Sequence, residues 1–184
     1  MRKEYDLGLD LKGRDVALVF RRLDDAEKLL RLHPHRHIES INENDDGVSA
    51  RVKDHATDVF LKINFRLIFD ESTGVSLVFK DSPVEHIKLY AKNDRLYATI
   101  VADIPEAEYD KRYHLGLWLR SIREYLRLFL TTNPYTFFFR FIMDRAILKM
   151  NPSQRKVSMM IMRFTALEIL LIVVLVIGYV IYMQ

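Results

Sequence analysis

The sequence contains no cysteine. That absence excludes a disulfide framework, a thiol nucleophile and any cysteine-ligated zinc or iron–sulfur centre. It is compatible with a reducing compartment. G-x-S-x-G, H-E-x-x-H, a phosphate-cradling P-loop and G-x-G-x-x-G are equally absent, so no catalytic motif of those kinds is present. NENDDG lacks the later ligands of an EF-hand loop and reads as a hairpin turn. The opening MRKEYDLGLDLKG has no apolar h-region, and no signal peptide is expected from it.

What is there is a chain of 184 residues, 49% hydrophobic and 29% charged, which suits one globular domain with additions. Its net charge of +3 is uneven: from Pro134 onward six cations meet two acids, a net +4 that leaves −1 for the rest. A nucleic-acid-binding domain should carry its own basic face, so no nucleic-acid partner is expected. A basic segment beside an apolar tail points instead to an anionic membrane surface.

The tail is TALEILLIVVLVIGYVIYM. Thr165 to Met183 hold one charge and, as a helix at ~1.5 Å per residue, reach roughly 28 Å, close to the bilayer core. A buried core helix is the alternative, although such helices usually alternate with polar positions. Tyr179 and Tyr182 suit the far interface, and Arg155, Lys156 and Arg163 precede the run. The positive-inside rule then predicts a single-pass C-terminal anchor with the large domain in the cytoplasm. Glu168 lies about one turn inside; it either snorkels to the near interface, takes a proton, or meets a polar group on another membrane subunit.

Before the tail, PYTFFFRFIMDRAILKM is bounded by Asn133-Pro134 and Asn151-Pro152. Each pair predicts a break and restart, with Asn as N-cap and Pro at the first helical position. Arg140, Asp144, Arg145 and Lys149 form a polar stripe; Tyr135, Phe138, Phe139, Ile142 and Met143 fall largely elsewhere. Such a helix can lie among headgroups, pack on the domain, or dock on a partner protein. Beyond Asn151, SQRKVSMMIMRF runs on into the anchor.

In the main domain, DVALVF reads as a strand or entry segment and RRLDDAEKLLRLHP as short helices with Leu23, Leu29, Leu30 and Leu32 on one stripe. Strands follow with turns at DDG and KND. In the strictest, Leu61, Ile63, Phe65, Leu67 and Phe69 alternate with Lys62, Asn64 and Arg66, so one face is buried. Short loops imply an antiparallel meander. EAEYDKRYHLGLWLRSIREYLRLFLTT reads as one long helix, with Leu115, Trp118, Leu119, Ile122, Tyr125, Leu126 and Phe129 on its apolar face and Arg112, Arg120, Arg123 and Arg127 elsewhere.

This order of elements, carried by FRRLDDAEKLLRLHP, the strands from Ile38 to Ile104 and the helix from Glu108 to Thr131, resembles the START-like superfamily over roughly Val16–Thr132. The resemblance is one of element order, without a sharp motif. It implies an α+β fold in which a curved antiparallel sheet grips the long helix (the helix-grip form), with an apolar cavity for a lipid or other hydrophobic molecule, and no universal catalytic residues. An interfacial helix and one transmembrane helix would then follow. The expected parts are an N-terminal extension (1–15), the START-like domain (16–132), an aromatic juxtamembrane helix (133–151) and a basic linker with the anchor (152–184).

The expected cavity lining is Ile63, Phe65, Leu67, Trp118, Ile122 and Tyr125, although plain core packing also accounts for them. Expected contacts with membrane or partner are Phe138, Phe139, Arg140, Arg163 and Glu168. In HPHRH, alternating His33, His35 and His37 would suit a metal on a regular strand, but Pro34 breaks regularity and no carboxylate stands at useful spacing. They read as solvated or hydrogen-bonded histidines; His55, His86 and His114 are scattered. No metal, cofactor or catalytic residue is expected. Two functions stand: a tail-anchored binder of a hydrophobic ligand at the membrane surface, or a non-catalytic accessory subunit of a membrane complex. An enzyme of the cyclase type would need polar residues converging inside the cavity.

Overall fold

Residues 1–15 are not an extension. Arg2–Asp10 form β1, which pairs antiparallel with β7 (Arg95–Ala102), from Arg2 opposite Val101 to Asp10 opposite Arg95. Leu7, Leu9 and Leu11 supply the reason: their two-residue period sends all three into the core. The computed structural model describes residues 1–70, 74–131 and 133–183; the side chains at 109, 112, 134 and 135 are outside it, so the expectations for Arg112 and Tyr135 lie outside the described residues.

The entry segment DVALVF is a helix, α1 (Val16–Phe20), and not a strand. The Asp15 carboxylate accepts from the N–H groups of Ala17 and Leu18, which starts the helix. Val19, Phe20 and Leu23 then fall inward at three- and four-residue spacing. In α2 (Ala26–Arg31) Asp25 caps in the same way, accepting from Lys28 N–H at 2.9 Å.

Six strands follow: β2 (Arg36–Asn44), β3 (Gly47–Asp54), β4 (Val59–Asp70), β5 (Gly74–Lys80), β6 (Val84–Lys92) and β7. With β1 they make a seven-stranded antiparallel open sheet in the order β1-β7-β6-β5-β4-β3-β2. Both expected turns are present. At DDG, Gly47 has φ +133°, and a Cβ there would stand 2.7 Å from the Phe65 carbonyl oxygen, so only glycine fits. At KND, Asn93 and Asp94 both have positive φ, the twist that a two-residue hairpin needs.

The expected long helix is two helices, α3 (Glu106–Tyr113) and α4 (Leu115–Leu130), separated by His114 at φ +51°. The Asp110 carboxylate accepts from Gly116 N–H at 2.8 Å and so starts the second helix. Leu115, Trp118, Leu119, Ile122, Tyr125 and Leu126 bury one face of α4. The Trp118 indole donates to the Leu29 carbonyl at 2.8 Å and ties α4 to α2.

After Thr131, α5 (Pro134–Arg145) turns back along α4. The chain divides into two compact units, Met1–Lys149 and Met150–Gln184, so α5 belongs to the first. The second is α6 (Pro152–Tyr182), opened by a reciprocal cap: Asn151 Oδ1 accepts from Gln154 N–H, and Gln154 Oε1 accepts from Asn151 N–H. Its 31 residues are long and apolar enough to cross a membrane.

Candidate functional site

The ladder between β4, β5 and β6 breaks at one end. β4 pairs with β5 only from Asn64, opposite Lys80, so Leu61, Lys62 and Ile63 have no partner on that side. β5 pairs with β6 only as far as Val78, opposite His86. A cavity of about 130 Å³ lies where these strands part and the α3–α4 junction passes. Leu30, Arg36, Leu115, Trp118 and Val84 are its buried walls; Leu61, Ile63 and Phe79 are half-buried. Lys62, Lys80 and Asp81 border it and are exposed. A space of this size takes a single ring or the end of an acyl chain.

Behind the cavity stands a polar junction built from HPHRH. At the break that His114 makes between α3 and α4, the Tyr113 carbonyl accepts from His33 Nε2 at 3.0 Å and Arg36 Nη2 at 3.2 Å. His33 Nδ1 accepts from the His35 N–H at 3.2 Å, so its proton sits on Nε2. Burial first, and the Arg36 charge second, push His33 down to about 2, which keeps it neutral. Arg36 and Asp54 form a buried pair, with Nε 3.8 Å from Oδ2. The other Asp54 oxygen accepts from Ala56 N–H at 2.8 Å. Burial lowers the Arg36 pKa, and the Asp54 charge opposes that. Among the described residues no group of three or more His, Cys, Asp or Glu side chains is placed to hold a metal.

Of the six residues expected to line a cavity, Ile63 and Trp118 do. Phe65, Ile122 and Tyr125 are 1–2% exposed and fill the core instead, and Leu67 packs against it. The sequence reading missed Arg36, Phe79, Val84, Leu115 and the loop 81–83. The only signal for them was the HPHRH junction, since a lining set by the ends of three strands has no periodicity of its own.

The contact residues divide as well. Arg140 is half-buried and bonded within the fold. Its Nε donates to the Leu128 carbonyl at 3.0 Å and its Nη2 to those of Phe129 and Thr131 at 3.0 and 2.8 Å, closing the C-terminal end of α4. Asp144 accepts from the Tyr125 hydroxyl at 3.1 Å. Burial, then Asp144, raise the Tyr125 pKa above its ordinary value. Leu148 is buried, and its carbonyl accepts from Arg31 Nη1 at 3.3 Å. Phe138 and Phe139 are exposed, as are Phe137 and Phe141. Arg163 and Glu168 are exposed on α6, and Glu168 has no hydrogen-bond or ion partner among the described residues.

No protein-family model and no curated protein sequence matches the chain. Among solved structures, it is similar to one from Cytophaga hutchinsonii at 11% identity and a TM-score of 0.43, covering 72% of this chain and 96% of that one. A protein from Nitrosomonas europaea gives 16% identity and a TM-score of 0.43, covering 67% and 91%. One from Staphylococcus saprophyticus gives 16% identity and a TM-score of 0.41, covering 71% and 91%.

Proposed function

We propose that this chain is a membrane-anchored START-like domain of helix-grip form, facing the cytoplasm, that takes a hydrophobic ligand at the bilayer surface. The cavity beside Trp118 carries this reading: Leu30, Val84, Leu115 and Trp118 give it an apolar inner wall beside Arg36, and it opens where the sheet ladder parts. The order of β1, short helices, a six-stranded meander and a helix with one buried face supports the helix-grip form. α6 supports the anchor, and Arg155, Lys156 and Arg163 ahead of its apolar stretch support the orientation. At about 130 Å³ the cavity is smaller than the ~300–1,000 Å³ of drug-sized sites, so the ligand is small or enters by one end.

Trp118 is the one tryptophan in the chain, which makes it a reporter of its own site. Purified full-length protein in mild detergent is titrated with a brominated medium-chain alcohol. Saturable quenching of Trp118, with a small apolar molecule recovered from the native extract, is the expected result. Unsaturable quenching and an extract free of ligand would sink the reading.

A second reading, an accessory subunit of a membrane complex, is favoured by two observations. Phe65, Ile122 and Tyr125 leave most of the core filled, and Glu168 stands unpaired on an apolar helix. Stoichiometric membrane proteins in the same extract, lost on Glu168→Leu, would decide for it.

A further inference from the structure

We infer that α5 is a second membrane contact, a rigid aromatic face that rests in the headgroup region of an anionic phospholipid bilayer. This goes beyond ligand binding and rests on the reading of α6 as a span. Phe137, Phe138 and Phe141 are 74%, 59% and 54% exposed, and their spacing gathers them on one side of the helix. The strip of helix that flanks this face is fixed. Arg140 grips three carbonyls at the end of α4, Asp144 holds the Tyr125 hydroxyl, and the following turn buries Leu148. The aromatic face therefore cannot roll inward to hide itself.

Charge selects the occupant. The one acid of α5, Asp144, is turned toward Tyr125, while the Arg145 guanidinium lies 5.0 Å over the Phe141 ring and Lys149 is exposed beyond it. Phenylalanines with a cationic border suit lipid with anionic headgroups. Continuity of the chain adds to this, since only residues 146–151 separate α5 from α6. A short tether keeps α5 near whatever surface α6 enters.

The absence of cysteine makes the test clean, because a single introduced thiol is the only site a nitroxide can label. Full-length Phe138→Cys, Phe141→Cys, Glu85→Cys and Leu175→Cys are labelled in nanodiscs of phosphatidylcholine and phosphatidylserine. Accessibility to oxygen and to a nickel chelate is then measured. The expected result is an oxygen-to-nickel ratio several-fold higher at Phe138 and Phe141 than at Glu85, with Leu175 higher still. Water-like values at Phe138 and Phe141, with Leu175 in lipid, would overturn the inference alone. Immobile labels shielded from both reagents at those positions would overturn it in favour of a protein surface. Water-like values at Leu175 would overturn the span on which it rests.

Discussion

His33 shows how one side chain sets a pH limit on the fold. It is 1% exposed, donates to the Tyr113 carbonyl and accepts from the His35 N–H. Unfolded, it titrates near the ordinary 6.5; folded, it takes no proton until about 2. Between those values the unfolded chain binds the extra proton. Stability is therefore full above about pH 6.5 and falls as pH drops. At ~1.4 kcal/mol per pH unit, His33 alone removes about 2 kcal/mol by pH 5. Denaturant midpoints taken from pH 7 to 5 should show this slope. His33→Gln, which offers an amide N–H and an amide oxygen to the same partners, should flatten it. An unchanged slope would assign the acid sensitivity elsewhere. Asp54 tests the neighbouring buried pair. Asp54→Ala leaves the Arg36 charge without a counter-ion and should cost about 3–5 kcal/mol, read from the denaturant midpoint at pH 7.

Turns and helix ends repeat the lesson at the next scale. The β6–β7 hairpin holds two successive non-glycine residues at positive φ, Asn93 and Asp94. Asp94→Gly removes that strain without touching a side-chain contact, and should raise stability by about 0.5–1 kcal/mol in a thermal melt. Arg140 is the opposite case. Arg140→Ala removes the guanidinium from the Leu128 and Phe129 carbonyls of α4 and from the Thr131 carbonyl, which keeps the Thr136 hydroxyl, and should cost about 1.5–3 kcal/mol, with faster amide exchange across residues 134–145. Both elements bear on what could be read from the sequence. The alternation of β4, the DDG and KND turns and the two Asn-Pro helix starts were legible because each is a local pattern with a local cause. DVALVF was misread because five residues of apolar run suit strand or helix, and Asp15 decides between them. The break at His114 was illegible because a left-handed histidine has no periodic signature; Asp110, six residues before Gly116, supplies the cap. Arg140 was misread as a surface cation because its partners lie on another helix.

Over the whole molecule, the candidate cavity was legible only as an apolar face. Ile63 and Trp118 border it, while Phe65 and Tyr125, drawn from the same faces, are core. What separates them is where the strand ladder ends, a property of three strands together. The same sheet has one further consequence. Its meander from β2 to β7 is built by neighbours in sequence, but β1 must find β7 from nearly the opposite end of the domain, with Arg2 opposite Val101. Until that late pairing forms, β7 presents an open row of N–H and C=O groups. A first strand from another copy offers those groups the same partners, and residues 12–15, beyond the buried Leu11, are the hinge that would let it travel. Refolding full-length chains in detergent at rising concentration should therefore yield a growing dimeric fraction in gel filtration, trapped by exchange of β1; a monomer at every concentration would mean that β1 docks before two chains meet.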